Sequence, residues 1–249
     1  MGKESSRIAV ITGASSGIGE ATARALQAAG FQTIIGARRT DKIDAIAQSI
    51  GGRAFTLDVT DPGSIQRFAA QITEPIHVLV NNAGGAVGLE PIGDLDEKKW
   101  LTMYETNVLG LVRVTKALLP HLRRAAGGAH VVNIGSVAAL ETYVGGAGYT
   151  ACKHAVKAIT DTMRLEWLGE PLRVTEVDPG LVETEFSLVR FAGDAPRAKA
   201  VYRGMRPLTA EDVAEAIRWA VSLPTHVNID QIVIKPTDQA RADQIFRRE

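Results

Sequence analysis

Short, unbroken apolar runs alternate along the chain with longer stretches in which apolar residues return every three or four positions. The runs fall at 7–12, 33–36, 54–57, 78–81, 130–134, 173–177 and 230–234. Strands that alternate apolar and polar residues have one wet face; continuous runs suit parallel strands covered on both faces. The intervening patterns predict helices at 17–29, 41–49, 62–72, 97–124, 149–168 and 210–222. Repeated strand–helix alternation predicts an α/β fold with a doubly wound parallel sheet and right-handed crossovers. No repeat, low-complexity tract or linker divides the chain, so one domain over 1–249 is expected. Its glycine-rich, cofactor-binding half runs to about 130, and the catalytic and substrate half occupies 131–249. Two segments interrupt the alternation. Residues 83–93 are glycine-rich directly after a strand, and 183–207, with Gly193, Pro196, Gly204 and Pro207, has the length of a lid.

Apolar residues make up 45% of the chain, enough for a sheet buried on both sides. Lys plus Arg and Asp plus Glu both number 28, which leaves no broad basic field for nucleic acid or an anionic membrane. Cys152 is the only cysteine, so an internal disulfide is excluded and a reducing, cytoplasmic setting is expected. The apolar stretch ending at Thr12 is too short for a signal core or a membrane span. Met1-Gly2 with Ser6 formally fits a myristoylation pattern. The five histidines have no metal-ligand spacing, and no metal site is expected.

Candidate chemistry begins with Thr12-Gly13-Ala14-Ser15-Ser16-Gly17-Ile18-Gly19, a glycine loop between the first strand and the first helix. Such a turn lets a pyrophosphate approach backbone N–H groups at a positive helix end. Where an acidic residue would hold the ribose of NAD after the second strand, the chain has Arg38-Arg39. Guanidinium groups bind a 2′-phosphate in forked, charge-assisted pairs, so NADP(H) is the expected cofactor; the alternative is a solvated basic turn. Asp58-Val59 and Asn81-Asn82-Ala83-Gly84 follow the third and fourth strands, on the edge where open sheets bind ligands.

Tyr149 and Lys153 lie one helical turn apart on a shared face. An ammonium beside a phenol favours the phenolate, and the oxidised nicotinamide's charge adds to it, bringing tyrosine toward its working pH. Ser136, at the end of the fifth strand, is placed to donate to a carbonyl oxygen as negative charge develops there. Asn107 sits inside a long apolar helix, either holding a water near Lys153 or serving as a satisfied polar kink. Cys152 adjoins Lys153 but faces another way, as a packed small residue does.

In this order, the glycine loop, Asn81–Gly84, Asn107, Ser136, Tyr149, Lys153 and Pro179-Gly180 with Thr184 resemble the short-chain dehydrogenase/reductase family. The resemblance covers essentially the whole chain. It implies a Rossmann-type seven-stranded sheet and a Ser–Tyr–Lys triad assisted by Asn. It also implies cofactor contacts from Gly13, Ser15, Ser16, Gly17, Ile18 and Gly19, with Asp58 and Val59 at the adenine and Asn81, Ala83 and Gly84 near the ribose. The turn Pro179, Gly180, Val182 and Thr184 would meet the nicotinamide amide. Two of the family's helices form subunit interfaces, which implies a homotetramer or homodimer.

A narrower likeness runs through Asp178-Pro179-Gly180-Leu181-Val182-Glu183-Thr184-Glu185-Phe186-Ser187, Val189-Arg190-Phe191 and Leu223-Pro224-Thr225-His226-Val227-Asn228-Ile229. These are similar to the NADP-dependent 3-hydroxy acid and serine dehydrogenase branch, which acts on serine, L-allo-threonine and 3-hydroxy acids. The stretch Ile234-Lys235-Pro236-Thr237-Asp238-Gln239 resembles reductases of other small oxo compounds. A small hydroxy acid needs a cation for its carboxylate, and Arg190, flanked by Phe186 and Phe191 in the lid, is the candidate. The leading expectation is therefore an NADP(H)-dependent oxidoreductase acting on a small hydroxy or oxo acid. Its rivals are a reductase of neutral carbonyl compounds and a non-catalytic dinucleotide sensor on the same fold.

Overall fold

The computed structural model describes residues 7–249, so the myristoylation match at Met1-Gly2 lies outside the described residues. Seven strands form one sheet: β1 (Ile8–Thr12), β2 (Gln32–Ala37), β3 (Arg53–Thr56), β4 (Val78–Asn81), β5 (Ala129–Ile134), β6 (Leu172–Pro179) and β7 (Gln231–Ile234). Their spatial order is β3-β2-β1-β4-β5-β6-β7, and every neighbouring pair is parallel. This is the Rossmann-type doubly wound architecture, whose order reverses between β1 and β4 and opens a crevice at the strands' C-terminal ends.

The strands explain their own composition. Val10, Leu79 and Val131 face one apolar layer, and Ile11, Val80 and Val132, one residue on, face the other. Both layers are buried, which is why these strands read as continuous apolar runs. The first layer is closed by α3 (Pro62–Ala70), α5 (Gly110–Leu122) and α6 (Ala147–Glu166) through Phe68, Leu118 and Met163. The second is closed by α1 (Gly17–Ala28), α2 (Thr40–Ile50) and α9 (Ala210–Ser222) through Leu26, Ile43 and Ile217.

Two expectations change. The single helix expected over 97–124 is α4 (Glu97–Tyr104), a π-helical turn over Glu105–Leu109, and then α5. The expected lid at 183–207 carries two short helices, α7 (Phe186–Arg190) and α8 (Ala195–Ala200), between irregular segments. A buried polar chain ties the layers together. Asn133 on β5 donates from Nδ2 to Thr160 Oγ1 on α6 at 2.9 Å and accepts from Asn81 Nδ2 on β4 at 2.9 Å. Asn81 Nδ2 also donates to Thr115 Oγ1 on α5 at 2.8 Å. These bonds satisfy the Asn133 amide and the Asn81 N–H donors, which would otherwise be costly to bury, and they fix where α5 and α6 sit along the sheet. Among the described residues, no helix is long and apolar enough to cross a membrane.

Candidate active site

The loops after β1 and β4 are stitched together at the crevice. Gly13 has φ +65°, and a Cβ there would come within 2.7 Å of Ala83 Cα, so only glycine fits. Asn82 Nδ2 donates to the carbonyls of Thr12 and Gly13 at 3.0 and 3.1 Å, while Thr12 Oγ1 accepts from the Asn82 and Ala83 amides. The result is a rigid backbone cradle. Ser15, Ser16, Gly17 and Ile18 line the cavity above it, with Ala83 and Gly84 opposite. Gly19 is buried beneath, one turn into α1, and does not reach the cavity surface.

At the end of β2, Arg38 lines the same cavity. Arg39 grips the glycine loop, with Nε to Ser15 Oγ at 3.0 Å and Nη2 to Ser16 Oγ at 2.6 Å. Its third nitrogen, Nη1, meets Glu185 Oε2 at 2.7 Å, and Lys42 Nζ meets the other Glu185 oxygen at 3.1 Å. Hydrogen bonds from Arg39, Lys42 and Ser16 hold the Glu185 carboxyl down at about 2. Asp58 and Val59 also line the cavity. Burial acts to raise the Asp58 carboxyl, but hydrogen bonds from Thr60 and the Arg38 charge hold it below its ordinary range. Asn81, expected at the ribose, instead turns its side chain into the core; strand alternation gives the cavity side to Asn82.

At the far end of the cavity, Ser136, Tyr149 and Lys153 come together. Ser136 follows β5; its Oγ accepts from the Ala138 amide at 3.1 Å and its own amide donates to Asp178 Oδ1 at 2.7 Å. Tyr149 and Lys153 project from the first turns of α6, with the ammonium 5.7 Å from the phenol ring centre. Lys153 is 6% exposed and donates to the Ile134 carbonyl at 2.8 Å. Burial pulls its ammonium down to about 8, against the opposing charges of Glu176 and Asp178.

The Tyr149 phenol departs from the expectation. Burial pushes its pKa up, helped by Tyr143, while the Ser136 hydroxyl and the Arg190 charge pull it down. Desolvation of the phenolate outweighs the neighbouring cations in the chain by itself.

Asn107 lies in the π-helical turn, 2% exposed. Its Nδ2 donates to the carbonyls of Met103 and Gly85 at 2.8 Å each, and its Oδ1 accepts from the Gly85 amide at 3.1 Å. The side chain thus pairs with both backbone groups of Gly85, as a strand partner would. Both N–H donors are thus committed to backbone carbonyls.

The lid closes the remaining side. Phe186 packs edge-on against Tyr149 with ring centres 5.6 Å apart. Arg190 donates from Nε to the Gly88 carbonyl at 3.0 Å and from Nη2 to Tyr143 Oη at 3.1 Å; its guanidinium carbon lies 5.9 Å from the Tyr149 ring centre. Arg190 also lines a cavity of about 740 Å³ that runs from it to Arg38. Pro179, Gly180, Val182 and Thr184 form its floor after β6. The cavity's size, its basic end and the Gly13 cradle fit an extended dinucleotide with room for a small molecule beyond it. Cys152 is buried beneath Tyr149, and burial pushes its thiol up to about 11.

Four contributors were given no role of their own from the sequence. Asn82 and Tyr143 depend on which way a loop turns, and Glu185 depends on where the lid begins. Glu176 was readable, as a carboxyl in the apolar strand Leu172–Pro179.

Comparison with known proteins agrees with this geometry. A family model described as short chain dehydrogenase matches residues 7–193. An oxidoreductase of Mycobacterium tuberculosis, named as uncharacterized, is 56% identical over 96% of this chain and 94% of its own. Sulfoacetaldehyde reductase 2 of Chromohalobacter salexigens is 42% identical, covering 94% of this chain and 96% of its own. The NADP-dependent 3-hydroxy acid dehydrogenase of Schizosaccharomyces pombe is 39% identical, covering 96% of each. Among solved structures, the closed form of serine dehydrogenase complexed with NADP+ superposes with a TM-score of 0.91 at 37% identity, covering 97% of this chain and all of that one. The chain belongs to the short-chain dehydrogenase family.

The Asn107 bonds give a direct test of what holds the cavity wall. Asn107→Ala leaves the Gly85 amide and carbonyl without their partner and lowers stability by about 2 kcal/mol in urea unfolding. The Gly85 amide also loses protection in hydrogen exchange. Unchanged exchange at Gly85 would mean that the wall is held by other contacts.

Proposed function

We propose that this chain is an NADP(H)-dependent oxidoreductase that interconverts an alcohol and a carbonyl compound. Its substrate is a small molecule carrying an anionic group, with 3-hydroxy acids and 3-hydroxy amino acids as the leading class. The observation that carries the reading is the meeting of Ser136, Tyr149, Lys153 and Arg190 at one end of a cavity whose other end holds Arg38 and Arg39. When bound, the nicotinamide supplies or accepts the hydride. Relatives named for 3-hydroxy acids, serine and sulfoacetaldehyde support the substrate class.

Each residue's part follows from its place. Arg38, with Arg39, takes the 2′-phosphate, and the backbone cradle at Gly13 with Ser15, Ser16, Gly17 and Ile18 receives the pyrophosphate. Asp58 and Val59 border the adenine; Pro179, Gly180, Val182 and Thr184 border the nicotinamide end. Ser136 donates to the substrate oxygen, and Tyr149 passes its phenolic proton to that oxygen in reduction or receives it in oxidation. Lys153 lowers the cost of the phenolate, a contribution the buried phenol needs. Arg190 Nη1 receives the substrate's anionic group, a contact possible because Nε and Nη2 are already tied to Gly88 and Tyr143.

A reductase of a sulfonated aldehyde is the second reading, favoured by the Chromohalobacter salexigens relative. The same arginine serves either anion. A cytoplasmic location suits the single buried thiol. Assembly into a homotetramer or homodimer suits the exposed Leu101 and Tyr104 on α4 and Leu165 and Leu168 at the end of α6, large apolar groups otherwise left in water.

Activity is read at 340 nm with NADP+ or NAD+ against serine, L-allo-threonine, 3-hydroxybutyrate and neutral alcohols, and with NADPH against sulfoacetaldehyde. Turnover of the anionic substrates with the NADP form is expected. In Arg190→Ala, KM for acids rises at least about tenfold, and the preference for acids over their esters disappears. Activity confined to neutral carbonyls, or an unchanged acid preference in the variant, would sink the substrate assignment. Sedimentation equilibrium should give a multiple of the chain mass; a monomer at micromolar concentration would contradict the assembly.

A further inference from the structure

Two carboxyl groups that hydride transfer does not use stand behind the catalytic pair. Glu176 and Asp178 are two residues apart on β6, so both project to the α6 side of the sheet, and both are fully buried. Neither lines the cavity. Asp178 is well answered: Oδ1 accepts from the Ser136 amide at 2.7 Å and Oδ2 from Gln231 Nε2 on β7 at 2.6 Å. No donor reaches either oxygen of Glu176, a costly state for a buried ionised group. The two carboxyls converge on Gly135, where a Cβ would run into Asp178 Oδ1 and Glu176 Oε1. Glycine just before Ser136 is therefore required by this pair.

The groups around them come from three elements. From α6, the Lys153 charge acts on both carboxyls and the Lys157 charge on Glu176, through space rather than by a direct ion pair, and Cys152 lies beside Lys153. Lys157 is itself paired at the surface with Asp161 at 3.0 Å. Ser136 and Gln231 complete the shell without charge. Lys153 is thus the one cation of this shell that is buried, and its only hydrogen bond among the described residues goes to the neutral Ile134 carbonyl. Two carboxyls so close in the interior do not both ionise. Burial and the neighbouring Asp178 push Glu176 up, to about 8. The proton rests on Glu176 and the charge on Asp178, because N–H donors stabilise an ionised carboxylate and only Asp178 has them.

We propose that Glu176 and Asp178 share one proton and one negative charge, which is the buried counter-charge of Lys153, and that Asp178 also fixes the Ser136 backbone. They are positioning residues, and this inference rests on the proposed roles of Ser136, Tyr149 and Lys153. The pair has a built-in substitution: if one carboxyl is removed, the other holds the charge. Its geometry has none, since only Asp178 reaches Ser136.

The test is the alkaline limb of kcat for carbonyl reduction with NADPH, measured in the parent, Glu176→Gln, Asp178→Asn and the double variant. Carbonyl reduction needs Lys153 charged, so activity is lost as pH rises through its pKa. Removing the counter-charge lowers that pKa and moves the limb to lower pH. The double variant's limb is expected about one unit lower, with kcat at pH 8 reduced about fivefold. Each single variant moves it by less than half as much, and Asp178→Asn lowers kcat on the plateau more than Glu176→Gln does. NADPH binding, read by its fluorescence, stays within about threefold throughout. A double-variant limb that coincides with the parent's, or loss of NADPH binding along with activity, overturns the inference; the latter would make the pair mere scaffold. A parent with no NADPH-dependent turnover fails the proposed function first and takes this inference with it.

Discussion

Lys153 carries an ammonium into the protein interior, at a desolvation cost of several kcal/mol that its surroundings must offset. The Ile134 carbonyl, the carboxyls of β6 and the phenol of Tyr149 are arranged around that charge. The arrangement depends on the position of α6 relative to β5 and β6. Continuous apolar strands fix the sheet, and the Asn133–Thr160 bond fixes α6 upon it. Core packing and site chemistry are therefore one problem in this chain. The helix that closes an apolar layer through Met163 also presents Tyr149 and Lys153.

The opposite end of the cavity uses charge differently. Arg39, Lys42 and Glu185 are all roughly 40% exposed, so their pairing contributes little to global stability. Its consequence is spatial. Arg39 joins the glycine loop to the residue just before α7, so the lid that brings Phe186 and Arg190 to Tyr149 is anchored beside the predicted phosphate corner.

How much of this was legible in the sequence follows from what each feature depends on. The strands were readable because burial on both faces leaves an unbroken apolar run, and α9 was readable to its ends, Ala210–Ser222. The long helix was misjudged at Asn107, because its π-helical turn is set by bonds to Gly85, 22 residues away, which periodicity does not register. Asn81 and Asn82 differ only in which side of the sheet end they face, and that depends on register. The grouping of Ser136, Tyr149 and Lys153 at one cavity was legible from order and spacing. The upward shift of Tyr149 was not, because spacing reveals a neighbouring cation but not the depth of burial that outweighs it.

Tyr149 is the proposed carrier of the transferred proton, in a pocket built around a buried ammonium. Tyr149→Phe removes one oxygen and leaves the Phe186 packing, the lid and the basic corner in place. This variant is expected to bind NADPH as the parent does but to lose at least about a thousandfold in kcat for carbonyl reduction. Turnover within tenfold of the parent would contradict it and place the proton donor elsewhere in the cavity.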